Sequence, residues 1–240
     1  MQKVFKIAAS IAGIICSSQL AAANHAAVHN EDGVKFRFFV GAQTGFAMTS
    51  FNTNTVDQDP PQTAHARIAA NTMLIGPLAG VDLILGDWVL GLQVSFDFQN
   101  TNERSLLFTN TGITPESRHV KFCTHRSGVL QVTGRVGKQF GNTLFFIRSG
   151  LDHRKYKMEL LMSDPTTDGP NVSANKTFNG WLLGIGTEFK VLEEVLLRLE
   201  LNGVFSTNKE ASVPILNGVH SVKARPTTGE GKLAVIIPIG

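Results

Sequence analysis

The sequence predicts an all-β fold, an eight-stranded antiparallel up-and-down β-barrel. Three observations predict it: apolar residues alternate with period two, eight segments carry that alternation, and the polar spacers between them alternate short and long. The clearest segment is Trp88–Gln99, where Trp88, Leu90, Leu92, Val94, Phe96 and Phe98 share one parity and Val89, Gly91, Gln93, Ser95, Asp97 and Gln99 the other. A helix would place Gln93 and Asp97 among apolar neighbours, whereas a strand puts every large apolar group on one face.

The other segments repeat this pattern. Phe36, Phe38, Val40 and Phe46 alternate with Arg37, Phe39, Gly41 and Gln43, and Trp181, Leu183, Ile185 and Phe189 alternate with Gly184, Gly186, Glu188 and Lys190. Val195, Leu197, Leu199, Leu201 and Phe205 alternate with Arg198, Glu200, Asn202 and Ser206, and Leu233, Val235, Ile237 and Ile239 oppose Glu230 and Lys232. Weaker alternation marks 74–85, 129–138 and 143–156. The chain has twenty-three glycines, and those within these stretches disfavour long helices. Short turns are expected at Gly86-Asp87, Gly141-Asn142 and residues 192–194. Mobile, outward-facing loops are expected near 49–71, 102–118, 161–177 and 207–221, which gives the barrel two unequal rims.

Composition narrows the setting. The chain opens Met-Gln-Lys-Val-Phe-Lys, continues through an apolar run to Ile15 and reaches Ala21-Ala22-Ala23, the pattern of a cleaved signal peptide. The expected organisation is a signal peptide at 1–23, a linker at 24–33 and a barrel domain at 34–240. That leaves Cys123 as the single mature cysteine, so no intramolecular disulfide is expected. A net charge of +3 with scattered Lys and Arg gives no reason to expect nucleic acid as a partner.

The polar face decides between a soluble and a membrane barrel. It carries Arg37, Asp82, Asp97, Arg135, Arg148, Asp152, Glu188, Lys190, Arg198, Glu200, Glu230 and Lys232, six acids and six bases. Such balance suits a narrow lumen in which charges withdrawn from water find partners. The other face offers Phe36, Phe38, Trp88, Leu90, Phe96, Trp181, Leu183, Ile185, Leu197 and Leu199, as hydrocarbon contact requires. These ten are expected to face lipid, and Arg37, Asp82, Asp97, Arg135, Arg148, Glu188, Arg198, Glu200, Glu230 and Lys232 to form a lumen charge network. A soluble periplasmic binder with the faces reversed is the alternative.

The runs Gly134–Phe140, Leu144–Leu151, Gly180–Phe189 and Leu197–Glu200, with Trp88–Gly91, make residues 34–240 resemble the small outer-membrane β-barrel family. Its members include opacity-type surface proteins and the barrel domain of outer-membrane protein A. The resemblance implies a monomeric transmembrane barrel in the cell outer membrane, contacting outer-membrane lipids and offering its long loops to an extracellular or host ligand. The implied role is structural, surface-antigen or adhesin-like. A narrow porin-like channel is the alternative, and a lipid-modifying enzyme a further one. The chain departs from the family in ending at Ile239-Gly240 rather than on an aromatic residue, and Pro238 withholds a ladder donor.

Motifs for chemistry are weak, and the expectation is a protein that is not an enzyme, with no cofactor and no metal. Met73–Leu92 mimics a membrane helix but would bury Asp82 at its centre. Gly229-Glu230-Gly231-Lys232 lacks the upstream glycine and following hydroxyl of a phosphate loop. His119, Cys123 and His125 lack a fourth zinc ligand. Ser149 and His153 share the outward face of one segment, and no acid partner for a triad can be assigned.

Overall fold

The computed structural model describes residues 34–58, 61–101, 104–109, 117–123, 128–164, 167–168, 172–192, 194–207, 209–215 and 218–239. The expected signal peptide and linker, and His125, lie outside the described residues. Eight strands form the wall: β1 (Val34–Gln58), β2 (Pro61–Leu85), β3 (Trp88–Thr101), β6 (Gly128–Phe140), β7 (Thr143–Asp164), β9 (Val172–Leu192), β10 (Val195–Ser206) and β12 (Gly218–Ile239). Between and beyond them lie β4 (Arg104–Thr109), β5 (Ser117–Cys123), β8 (Thr167–Asp168) and β11 (Lys209–Ile215).

Every neighbouring pair in the wall is antiparallel, and β12 returns to pair with β1 from Phe38↔Ile239 to Val56↔Ser221. The sheet is therefore a closed, eight-stranded, up-and-down barrel without an edge at this level. All eight alternating segments lie on wall strands. The helix-like stretch Met73–Leu92 is the end of β2, a turn and the start of β3.

Two of the short turns are set by glycine. Gly86 and Gly141 have φ of 59° and 58°, which fits the primed turns that two-residue hairpins favour. These turns, the β9–β10 connection and the ends Val34 and Ile239 lie together at what we call the near rim. Pro77 is matched with Ala42 on β1, but the pairing with β3 skips from Ile75↔Phe98 to Leu78↔Ser95, as a residue without an N–H requires. Pro238 sits opposite Phe39, beyond the last β10–β12 pair at Leu196↔Ile236. Its missing donor therefore does not interrupt that ladder.

The far rim differs from the expectation of loops. β1 and β2 run on as a hairpin through the polar stretch 49–71, in register from Ser50↔Ala69 to Gln58↔Pro61. β5 adds to the extension of β7 from Cys123↔Lys157 to Arg118↔Met162, and β11 to that of β12 from Lys209↔Ala224 to Ile215↔Gly218. Thr49, Thr53, Thr55 and Val56 favour extended backbone, but these extensions are mostly polar in sequence. They carry no apolar alternation to read.

The burial pattern fixes which way each face points. Phe36 is 53% exposed, Trp88 53%, Trp181 56% and Ile185 59%, whereas Asp82, Asp97 and Arg198 are each 0% exposed. The apolar face is outside, which is the reverse of a soluble barrel. On β1 the apolar outward run from Phe36 to Met48 spans 12 steps; at about 3.3 Å per residue and a tilt near 45° this is a band about 28 Å tall. Trp88, Phe140 and Phe145 mark its near edge, and Phe46, Phe98, Trp181 and Phe205 its far edge. Polar Asn71, His153 and Asn179 stand just beyond. This is a lipid-facing belt with aromatic girdles.

A β-branched residue at Gly86 or Gly141 has to adopt a left-handed conformation, so Gly86→Val and Gly141→Val are each expected to cost about 1–2 kcal/mol. Gly134→Val is the control: it lies on the outer face with nothing nearer than 3.9 Å to an added Cβ. Urea midpoints of the refolded protein in detergent check the comparison, with the first two lowered and the third unchanged.

Candidate functional site

The inside of the barrel is filled in layers. At the near rim, Phe39, Leu78, Leu196, Ala234 and Ile236 form one buried apolar cluster, and Val89, Leu144 and Phe146 a second. Charges follow further in. Near the far end Tyr156 packs edge-on between Phe51 and Phe178, with ring centroids 5.2 and 5.5 Å apart.

The first charge cluster begins on β1 and β2. Asp82 accepts from Arg37 Nη2 at 2.7 Å and from Arg135 Nη2 at 2.7 Å, so one carboxylate holds two guanidinium groups from β1 and β6. Gly91 makes this possible, because a Cβ there would stand 2.3 Å from Asp82 Oδ1 and 2.8 Å from Arg135 Nε. Glu188 on β9 then accepts from Arg37 Nη2 at 2.8 Å, Arg135 Nη1 at 3.0 Å and Arg198 Nη2 at 2.6 Å. Arg198 also donates to Gln93 and lies 3.7 Å from Glu200, which is paired with Arg148. Arg148 in turn donates to Thr133 Oγ1 at 2.9 Å. Seven of the eight wall strands contribute to this cluster.

Aromatic rings cap the guanidinium planes. Arg135 Cζ lies 5.1 Å from the centroids of both Phe39 and Phe146, and Arg198 Cζ lies 5.0 and 5.6 Å from the same rings. Cations desolvated over ring faces are stabilised there more than they would be in water.

The second cluster is built on β1, β3, β6, β7 and β12. Lys232 Nζ donates to Asp97 Oδ2 at 2.7 Å and to Gln131 Oε1 at 2.8 Å, with Glu230 at 3.4 Å. Gln43 Nε2 donates to the other oxygen of Asp97 at 2.7 Å. Arg154 forks onto Asp152 with two 2.6 Å contacts and reaches Glu230 at 2.7 Å, while Gln131 Nε2 bonds both carboxylates.

All ten of Arg37, Asp82, Asp97, Arg135, Arg148, Glu188, Arg198, Glu200, Glu230 and Lys232 therefore point inward and enter one of two networks. Lys190 shares their parity but is exposed at the near rim and joins neither cluster. Arg154, 0% exposed, takes its place in the charge balance, leaving six acids and six bases inside. Its position two residues past Asp152, on the parity of Arg148, was the available signal. The inward rings of Phe39 and Phe146 also carry a parity signal, but their size favours the opposite assignment.

Of the ten expected lipid-facing residues, nine are exposed and Leu197 is half-buried. Glu230 and Lys232 point into the lumen from a continuous strand, so the Gly229–Lys232 run forms no phosphate loop. Ser149 and His153 are four positions apart on an extended strand, about 13 Å. Ser149 Oγ donates to the Leu182 carbonyl at 3.0 Å, and His153 Nδ1 is bonded to Asn179 Oδ1 at 2.8 Å, so the two are not in contact.

Removing Asp82 deprives Arg37 and Arg135 of their shared partner in a low-dielectric interior. Asp82→Ala is expected to cost about 3–5 kcal/mol in denaturant unfolding. Replacing both members of a pair, Asp97→Leu with Lys232→Met, is expected to cost less than the sum of the single changes, which a double-mutant cycle measures.

No protein-family model matches the chain, and no curated protein matches it in sequence. In shape it is similar to the outer membrane protease OmpT from Escherichia coli, with a TM-score of 0.50 at 8% identity over 84% of this chain and 96% of that one. It is similar to the outer membrane protein OprG from Pseudomonas aeruginosa, with a TM-score of 0.50 at 11% identity over the same shares. At these identities the likeness concerns the fold, and the fold of this chain is that of the small eight-stranded outer-membrane β-barrels.

Proposed function

We propose that this protein is a non-catalytic barrel of the bacterial outer membrane, exported by its N-terminal signal peptide, that presents its far-rim hairpins in a surface-antigen or adhesin-like role. The observation that carries this reading is the filled lumen. Two ion-pair networks, the Phe39 and Phe146 rings that cap the first of them and the Phe51–Tyr156–Phe178 layer leave the barrel interior to side chains. An eight-stranded barrel is just wide enough for such filling. What distinguishes the molecule to its surroundings is then the outside: the apolar belt toward lipid and the long hairpins of β1–β2, β4–β5 and β11–β12 toward solvent.

The narrow-channel alternative requires a continuous polar path, and the apolar clusters at the near rim oppose it. A lipid-modifying role through Ser149 and His153 is opposed by their separation and by the engagement of each with another group.

Reconstituted in planar bilayers, the protein is expected to show no steady conductance; a stable open pore of defined size would contradict the closed lumen. Trp88 and Trp181, the two tryptophans of the chain, lie on the outer face near opposite edges of the belt. Brominated phospholipids are therefore expected to quench both. A peptide tag inserted between positions 59 and 60 is expected to bind antibody on intact cells, and binding only after permeabilisation would reverse the proposed orientation.

A further inference from the structure

The outer face of the barrel carries a furrow bounded by two rows of register partners. One bank begins at Trp88 and Lys138 and continues through Phe145 to Leu199. The other runs from Val136 through Ile147 and Leu201 to Gly231. Each step around the barrel carries the rows further from the near rim, because the strands are tilted. From β3 to β12 the furrow crosses five strand spacings of about 4.8 Å; at a tilt near 45° it is about 24 Å long and rises about 17 Å. One leaflet of hydrocarbon is about 15 Å deep, half of a core of about 30 Å. The furrow thus climbs from the interface to the middle of the bilayer, enclosing about 1100 Å³ between almost wholly apolar walls.

Its mouth is chemically different from the rest. Lys138 lies half-exposed at the mouth on the outward parity of β6, whereas the exposed Lys35, Asp87, Lys190 and Glu194 of the same rim lie on inward-parity or turn positions. Its Nζ lies 5.7 Å from the Trp88 ring centroid and 5.6 Å from that of Phe140. No carboxylate pairs with it among the described residues, in contrast to Arg135, Arg198 and Lys232 inside. An ammonium has three donors, and two ring faces satisfy none of them as a hydrogen bond, so the group keeps its capacity for an anion at headgroup depth.

We infer that this furrow is a binding site for one anionic diacyl phospholipid of the near-rim leaflet. Its phosphate is held at Lys138 beside Trp88, and one acyl chain lies along the furrow toward Gly231, where the missing side chain leaves the bank low. The site rests on the reading of the molecule as a membrane barrel. It adds a particular lipid, at a particular place, to the general contact any such belt makes with the bilayer.

Native mass spectrometry of the protein released from detergent, after incubation with phosphatidylglycerol or phosphatidylethanolamine, tests it. The wild type is expected to retain one phosphatidylglycerol in preference to phosphatidylethanolamine. Lys138→Gln should lower the apparent affinity about tenfold through loss of a charge-assisted contact, while Lys138→Arg keeps it. Gly231→Leu fills the furrow without touching the mouth. An added Cβ there meets nothing closer than Leu201 at 3.7 Å, so the variant should fold and lose retention as well. Equal retention of both lipids, or unchanged retention in Lys138→Gln or Gly231→Leu, would overturn the site. Quenching of Trp88 and Trp181 by brominated lipid separates the two readings: if it persists while retention is unchanged in the variants, the site is lost and the membrane barrel stands, and if it is absent the barrel reading itself fails.

Discussion

Asp82 holding Arg37 and Arg135 at once is the contact on which the barrel interior turns. A closed sheet of eight strands has a lumen about two side chains across, and its outer face must be apolar to meet hydrocarbon. Every residue of the other parity is then forced inward, polar or not. Charges placed there lose their hydration and can stay ionised only if each finds a counter-charge at hydrogen-bonding distance. The six acids and six bases inside follow from that constraint. So does the sharing of carboxylates: buried Glu188 serves three arginines at once.

The same constraint explains where glycine and phenylalanine fall on the inward parity. At Gly91 the absence of a side chain leaves room for Asp82 and Arg135 to meet across β3. Where two arginines lie close together, flat rings cover their faces and exclude water without adding a charge. Phe39 and Phe146 do this for Arg135 and Arg198 together. The apolar clusters and the ion pairs are thus parts of one packing arrangement.

Much of this was legible in the sequence because the bilayer imposes a period that the chain cannot escape. The segment Trp88–Gln99 shows it with Val89 as the sole apolar residue on the polar parity, and the parity of Arg37, Asp82 and Glu188 follows from their neighbours. Legibility failed where that pressure is absent or where two demands conflict. Residues 49–71 continue past the apolar belt as a regular hairpin, and their polar, unpatterned sequence reads as loop. Phe39 and Phe146 are large apolar residues on the polar parity, and their reason lies in Arg135 and Arg198, on other strands. Arg154 was within reach by parity, but Lys190 satisfied the same charge count from the wrong end of its strand.

A filled lumen also bears on how such a protein can act. Ion pairs that tie all eight wall strands together oppose a conformational response in the interior, since moving one strand would expose several charges at once to an apolar wall. Variation in function is therefore confined to surfaces that the network does not touch. One is the set of far-rim hairpins. The other is the outer belt, where the tilt of the strands arranges side chains in diagonal rows and leaves furrows between them. There a single unpaired cation, Lys138 between Trp88 and Phe140, is enough to distinguish one stretch of an otherwise uniform apolar surface.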